Sequence, residues 1–231
     1  MNKKTQKEIL NIVKKNYCEI AEHYSETRKK ELWPELIDLT KNIPRAARVL
    51  DVGCGSGKLL KVLQENKIYY LGIDSCAELL KKAKEQFPNF KFSKGDILNL
   101  GAVNKLNFDY VFCIAVLQHI PGKDLQIKAL KQLKNKLSKD GKIILSVWNL
   151  WNQEKHRKLI WRFWFLKLIH KNKMDFGDIL FDWKNSRGEN VSQRYYHAFR
   201  LFELKRIIKK SGLKIKKVYK DDYNIYAILK K

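Results

Sequence analysis

Three glycines at alternate positions constrain this chain more than any other feature. They stand in the stretch Val49-Leu50-Asp51-Val52-Gly53-Cys54-Gly55-Ser56-Gly57-Lys58, which passes from an apolar run through an acid into the glycines. Glycine tolerates a positive φ and lets a ligand touch the backbone, so this pattern is typical of a binding loop between a strand and a helix. The G-x-G-x-G spacing excludes the dinucleotide fingerprint, and Leu59 after Lys58 excludes a P-loop.

Apolar runs and amphipathic stretches alternate on both sides of this loop. The rhythm predicts an α/β fold, a doubly wound parallel sheet with helices on both faces. After Gly212, two apolar runs flank Asp221-Asp222 and predict an antiparallel hairpin at the sheet edge. We expect one domain over 1–231, divided into an N-terminal helical cap (1–44), a core (45–150), an aromatic and basic insert (151–200), and a C-terminal helix and hairpin (201–231).

An acidic residue ends the strand that follows the glycine loop. Asp74 closes the apolar run 68–73, seventeen residues after Gly57. In a doubly wound sheet the carboxyl ends of neighbouring strands meet at one edge, so this carboxylate is expected beside the glycines. There it can accept both hydroxyls of a ribose.

Residues 45–150 resemble the class I S-adenosylmethionine-dependent methyltransferases. The resemblance rests on the glycine loop, on Asp74, on Gly95-Asp96-Ile97, and on the segment from Phe108 to Ile120. It implies S-adenosylmethionine as cofactor and a seven-stranded sheet of order 3-2-1-4-5-7-6 with strand 7 antiparallel. The cofactor-binding residues that it implies are Asp51, Gly53, Cys54, Gly55, Gly57, Asp74, Ser75, Asp96, Ile97, Ile114 and Ala115.

The flanks are similar to one branch of that class, the tRNA wobble-uridine carboxymethyl methyltransferases. The matching stretches are 17–28 with Trp33-Pro34, 114–119, Ser146-Val147-Trp148 and 194–199. The branch implies transfer of a methyl group to the carboxylate of 5-carboxymethyluridine. It also implies the tRNA anticodon loop as substrate and a small zinc-binding activator subunit as a possible partner.

The chemistry of that reaction suits the polar residues of these stretches. A carboxylate with an ordinary pKa of about 4 is ionised at neutral pH and needs no strong base, so alignment and exclusion of water would supply the catalysis. Arginine, tyrosine and histidine are the expected carboxylate holders. The candidates are Arg28, His119, Arg194, Tyr196 and His197. Their alternative roles are binding the cofactor carboxylate (Arg28), shaping a loop (His119), forming a solvated rim (Arg194, His197) and packing in the core (Tyr196).

The charge balance also indicates a polyanionic partner. Lysine and arginine number 48 against 24 acids, which gives a net charge of +24. A coding bias toward lysine would produce the same excess of positive charge. Residues 151–173 interleave cations with aromatics. This stretch could be an RNA-facing lid, but residues 159–169 are apolar nearly all round a helix, so we expect the aromatics to be buried and the lysines exposed.

Other functions stay open at this point. A methyltransferase for a small metabolite or a lipid or quinone precursor would use the aromatic insert to cap an apolar pocket, and a non-catalytic cofactor-binding or nucleic-acid-binding protein would need no acceptor site. Four cysteines without a C-x-x-C pair or a histidine cluster predict no metal site. No apolar run is long enough to span a membrane, so a cytoplasmic protein is expected.

Overall fold

Seven strands form the central sheet of the computed structural model, which describes residues 1–21, 33–103, 107–184 and 188–231. Their spatial order is β3-β2-β1-β4-β5-β9-β8. The strands are β1 (Arg48–Val52), β2 (Tyr69–Asp74), β3 (Lys91–Lys94), β4 (Phe108–Ile114), β5 (Leu137–Trp148), β8 (Lys214–Lys220) and β9 (Asn224–Lys230).

The expected sheet order is confirmed, with β9 as the seventh strand of this sheet. Strands β1 to β5 pair in parallel, and β9 runs antiparallel to both β5 and β8. The chain leaves β1 in one direction toward β2 and β3, and later returns on its other side as β4. The carboxyl ends of β1 and β4 therefore flank the switch point of the sheet, where α/β folds place their ligands.

Helices cover both faces of the sheet, as the apolar strands require. Because successive residues of a strand point to opposite faces, β4 supplies Val111 and Cys113 to one apolar core and Phe112 to the other. The helices are α1 (Lys3–Glu19), α2 (Pro34–Thr40), α3 (Leu60–Leu63), α4 (Ala77–Gln86), α5 (Lys123–Lys136), α6 (Glu154–Leu168) and α7 (Leu201–Lys210). Among the described residues, no helix is both long and apolar enough to cross a bilayer.

The insert between β5 and α7 consists of α6 and a separate two-stranded sheet. Its strands, β6 (Asp178–Lys184) and β7 (Asn190–His197), pair antiparallel. One apolar cluster joins Ile160 of α6 to Ile179 and Tyr196 of the hairpin, and another joins Ile9 of α1 to Tyr195. The hairpin is thus held between α1 and α6.

The expectation that the aromatics of α6 are buried is wrong. Trp161 is 49% exposed and Phe165 is 58% exposed, and Trp164 also faces solvent. Only Ile160 of this helix is fully buried. The hairpin beneath α6 has just two strands, so it covers one side of the helix and leaves much of the other side in solvent.

Candidate cofactor and acceptor site

The glycine loop is fastened to the end of β2 by backbone hydrogen bonds. The amides of Gly53 and Cys54 both donate to the Ile73 carbonyl, at 2.7 and 3.1 Å. Gly53 has a φ of +77°, and a Cβ built there would lie 2.3 Å from Val116 Cγ2. Both the backbone angle and the lack of space therefore require glycine at this position.

Asp74 links this loop to the helix that follows β2. Its Oδ2 accepts from the Gly55 amide at 2.8 Å, and its Oδ1 accepts from the Cys76 amide at 2.9 Å. Burial raises the pKa of this carboxyl, while the backbone hydrogen bonds act in the opposite direction. Each carboxylate oxygen keeps a further lone pair that can accept a ribose hydroxyl.

Asp51 lies deeper, at the end of β1. Tyr70 donates its hydroxyl to Asp51 Oδ2 at 2.8 Å. Burial raises the pKa of Asp51 to about 7, against the effect of the Tyr70 hydrogen bond. Beside it, burial also raises the pKa of the Cys54 thiol, which keeps that sulfur protonated and unreactive.

Two adjoining cavities open at this edge of the sheet. The larger, about 540 Å³, contains the predicted residues Gly53, Gly55, Asp74, Ser75, Asp96, Ile97, Ile114 and Ala115 in its wall. The smaller, about 100 Å³, adds Asp51 and Cys54. The structure thus brings together every predicted cofactor residue except Gly57, which packs against the Phe87 ring instead.

The cavities fit the cofactor that the sequence implies. A Cβ built on Gly55 would meet nothing within 4 Å, so the backbone there faces open space that a ligand can occupy. Asp74 offers acceptors for a ribose, and the exposed carboxylate of Asp96 lies further along the same wall.

Helix α1 forms one wall of the larger cavity, a role that the sequence did not predict. Leu10, Val13, Lys14 and Tyr17 line the larger cavity. Their i, i+3, i+4, i+7 spacing places them on one helical face. The sequence shows this spacing, but it does not show which part of the fold the face covers. Trp33 and Trp148, which carried the family resemblance, line the smaller cavity together with Tyr17.

His119 lies in the turn Leu117–His119 after β4 and borders the larger cavity. Its Nδ1 is 3.3 Å from the Tyr195 carbonyl, which can only accept, so Nδ1 carries the proton and Nε2 accepts from the Tyr17 hydroxyl at 2.9 Å. Burial lowers the pKa of His119 to about 3, and the charge of Arg194 adds to the shift. The imidazole is therefore neutral at physiological pH.

Arg194 and Tyr196 are buried behind Tyr17. The Arg194 guanidinium stacks 3.6 Å above the Trp183 ring, and its Cζ is 5.9 Å from the centre of the Tyr17 ring. Nη1 donates to the Tyr196 hydroxyl at 3.2 Å, whereas Nε and Nη2 have no hydrogen-bond partner among the described residues. The Tyr196 ring packs 4.9 Å from both His119 and Trp148.

His197 is engaged by two carboxylates. Its Nδ1 lies 2.6 Å from Asp178 Oδ1, and its Nε2 lies 3.3 Å from Glu203 Oε2. Burial acts to lower the pKa of His197, but the two carboxylates outweigh it and raise the pKa to about 9. Asp178 also accepts from the Tyr195 hydroxyl at 2.7 Å. This network links β6, β7 and α7. His197, although predicted as a carboxylate holder, borders neither cavity.

Two further predictions concern Arg28 and metal binding. Arg28 lies outside the described residues. The sequence predicts no metal site, and the structure brings the thiols of Cys18 and Cys76 within 4.8 Å of the Glu78 carboxylate. The Cys76 thiol donates to Glu78 Oε2 at 3.2 Å.

Comparison with known proteins identifies the class of this site. A family model described as a methyltransferase domain matches residues 24–218. The tRNA (carboxymethyluridine(34)-5-O)-methyltransferase of Schizosaccharomyces pombe is 30% identical over 93% of this chain and 94% of its own length. The enzyme of the same name from Saccharomyces cerevisiae is 34% identical over 60% of this chain, which spans about half (48%) of that protein.

A solved structure supports the fold. The SAM-dependent methyltransferase of Methanosarcina mazei superimposes with a TM-score of 0.70 at 18% identity, over 87% of this chain and 99% of that one. The glycine loop, the Asp74 carboxylate bound to its Gly55 amide, and the strand order agree with this assignment. The chain therefore belongs to the methyltransferase domain family and is an S-adenosylmethionine-dependent methyltransferase.

Proposed function

We propose that this enzyme methylates the carboxylate of 5-carboxymethyluridine at the wobble position of tRNA. The activity in the name of the Schizosaccharomyces pombe relative supports this acceptor. The observation that carries the proposal is the buried guanidinium of Arg194, two of whose N–H groups have no partner among the described residues. Arg194 lines neither cavity itself, and it lies behind Tyr17, which forms part of both cavity walls.

The two free atoms of Arg194 are the pair that suits a carboxylate. Nε and Nη2 form one edge of the guanidinium and can donate two parallel hydrogen bonds to a carboxylate. Elsewhere in this protein, Arg48 uses the same edge: its Nε and Nη2 donate to Asp109 at 3.2 and 2.9 Å. A buried cation with unpaired donors is unfavourable, and an anionic acceptor would relieve that penalty.

The remaining polar groups suit attack by an anion. S-adenosylmethionine supplies an electrophilic methyl group on a sulfonium. The acceptor carboxylate is ionised at neutral pH, so one of its oxygens can form the new C–O bond while the C–S bond breaks, giving a methyl ester and S-adenosylhomocysteine. No proton moves in this step, which agrees with a neutral His119 whose two ring nitrogens are both occupied.

Aromatic rings around the smaller cavity would align the acceptor and exclude water. Tyr17, Trp33 and Trp148 all border that cavity, between the glycine loop and the Arg194 side of the site. Alignment and desolvation are the main sources of rate when the nucleophile is already charged.

Nucleoside mass spectrometry tests the acceptor. Purified protein is incubated with labelled S-adenosylmethionine and tRNA that carries 5-carboxymethyluridine. We expect a labelled, alkali-labile methyl ester on the wobble uridine. Transfer to another base, or transfer to a lipid or quinone precursor with tRNA unmodified, would overturn the proposal.

Arg194 variants test the proposed carboxylate holder in the same assay. Arg194→Ala should lower kcat/KM by about 100-fold, as expected for about 3 kcal/mol lost with one partner of a buried charged pair. Arg194→Lys should recover only part of this loss, because lysine cannot form the fork. Arg48→Ala, which removes a guanidinium already paired with Asp109, is the matched control and should leave kcat/KM unchanged.

Two further parts of the proposal come from the resemblance. A small zinc-binding activator subunit is proposed as partner, and added activator should raise activity or yield of folded enzyme. The cytoplasm is proposed as the compartment, which cell fractionation checks.

A further inference from the structure

Four large apolar side chains form a continuous stripe on the solvent side of α6. The stripe consists of Trp161, Trp164, Phe165 and Leu168, and we call it the outer face of α6. The spacing of these residues places them on one side of the helix, next to the side that packs on the hairpin through Ile160 and Phe163. Exposed apolar stripes of this kind mark binding surfaces.

The rings of this face are held in position by other aromatic side chains. Trp161 lies edge-on to Trp164, with 5.6 Å between ring centres. Trp161 also packs on Trp151 at 6.2 Å, and Trp164 packs on Phe176 at 6.4 Å. The two tryptophans of the face are therefore supported by neighbouring rings, and they lose little freedom when a ligand stacks on them.

Cations surround the outer face of α6. Exposed basic side chains stand on the same helix and on the segment that follows: Lys155, Arg157, Lys158, Arg162, Lys171 and Lys173. The only acid of the helix, Glu154, is paired with Lys158 at 2.7 Å. The combination of excess cations and exposed rings matches what single-stranded nucleic acid offers, a chain of phosphates and flat bases.

The size of the site shows why an RNA substrate needs such a surface. A cavity of about 540 Å³ is too small to hold a whole RNA loop together with the cofactor. The rest of an RNA loop must lie on the protein outside the cavity. The outer face of α6 belongs to the insert whose hairpin carries Tyr196, and that ring contacts His119 at the cavity wall.

We propose that the outer face of α6 binds the unpaired nucleotides of the RNA loop that delivers the acceptor, with bases stacked on Trp161 and Phe165 and phosphates on the neighbouring cations. This inference rests on the proposed function. A lysine-rich surface favours RNA over a protein partner, because protein interfaces are depleted in lysine.

Fluorescence anisotropy with a labelled anticodon stem–loop RNA tests the surface. The variant Trp161→Ala/Phe165→Ala should bind this RNA about 100-fold more weakly, because each stacked base contributes roughly a factor of ten. Tyr69→Ala is the matched control: Tyr69 is 70% exposed but lies at the start of β2, at the opposite end of the strand from the site, and its loss should not alter affinity. Cofactor affinity by calorimetry should be unchanged in all variants, since these side chains border neither cavity.

A charge variant separates RNA binding from other uses of the face. Lys155→Gln/Arg162→Gln should lower the slope of log affinity against log salt by about 0.7 for each phosphate that the variant no longer neutralises. The inference is wrong if the double aromatic variant binds the stem–loop as wild type does, or if the variants lose binding to anionic vesicles or to a protein but keep RNA binding. If wild type binds RNA through α6 but does not esterify tRNA, the surface stands and the proposed acceptor fails.

Discussion

At the scale of single residues, burial decides which groups near the acceptor carry charge. His119 and Arg194 are both buried, and their charges would repel each other, so the weaker base gives up its proton. Arg194 remains the cation, and His119 becomes a neutral group that accepts from Tyr17. His119 and Arg194 are both candidate carboxylate holders in the sequence, but in the structure only Arg194 carries a positive charge.

Asp74 is the residue whose replacement should most directly weaken cofactor binding. Asp74→Asn removes one acceptor oxygen and leaves either the Gly55 or the Cys76 amide without its partner. We expect affinity for S-adenosylmethionine, measured by calorimetry, to fall by about 10- to 100-fold, in line with about 1–3 kcal/mol for an unsatisfied buried donor. Asp140→Asn removes an exposed carboxylate and should leave affinity unchanged; equal affinities of the two variants would contradict the assigned role.

The His197 network makes the stability of the fold depend on pH. The pKa of His197 is about 9 in the folded protein and close to 6.5 in the unfolded chain, so the folded state holds the proton more tightly. Its contribution is therefore complete below about pH 6.5 and is lost as the pH rises to about 9, by up to about 3 kcal/mol.

Urea denaturation over this pH range checks the prediction. The midpoint of wild type should fall as the pH rises through the window, and His197→Gln should remove most of that fall. His170→Gln changes an exposed histidine and should keep the wild-type pH dependence. A wild-type curve that stays flat across the window would show that His197 is not held in the charged form.

At the scale of elements, the core could be predicted from the sequence because its signals are local. A strand buried on both faces reads as an apolar run, and residues 110–116 overlap β4 for this reason. That the predicted residues would share one cavity edge followed from their places at or just after the ends of such runs. Their contacts with the cofactor stay a prediction. Helix α1 as a wall of the cavity could not be predicted, since its contacts join residues far apart in the chain.

The wrong expectation for α6 also has a physical reason. An apolar helix indicates burial only when enough structure is available to surround it, and the sequence does not show how wide the neighbouring sheet is. Two strands cover Ile160 and Phe163 and leave Trp161 and Phe165 in solvent. For the same reason, the split of residues 151–200 into a helix and a hairpin has no marker in the pattern of apolar residues.

Replacing a glycine of the loop by alanine tests whether the loop needs its backbone conformation to bind the cofactor. Gly53→Ala should weaken cofactor binding and destabilise the fold by about 2–4 kcal/mol, because a φ of +77° strains alanine and its Cβ meets Val116. Gly212→Ala has the same φ of +77°, but the atom nearest to its Cβ is the end of the flexible Lys134 side chain. It should lose stability from backbone strain alone and keep full affinity for S-adenosylmethionine. Thermal unfolding and calorimetry on both variants separate the two effects.

At the scale of the whole molecule, the net charge of +24 has two explanations that salt can separate. If the cations serve RNA binding, counterions leave when phosphates reach the surface, and affinity falls steeply with ionic strength. If lysine is merely common, its charges are spread over the surface and screened, and they contribute to no specific complex.

We therefore predict a salt dependence that differs between the two substrates. With about five phosphates neutralised, affinity for the anticodon stem–loop should drop roughly 100-fold between about 50 and about 200 mM salt, since each neutralised phosphate contributes about 0.7 to the slope for single strands. Affinity for S-adenosylmethionine should hardly change, because the proposed ribose contact of Asp74 lies inside a cavity, where salt screens a hydrogen bond little. Measuring both dissociation constants on one preparation supplies the control, since a loss of folded protein would weaken both equally. A flat response to salt for the RNA would assign the surplus of lysine to composition and would contradict the phosphate contacts proposed for the cations of α6.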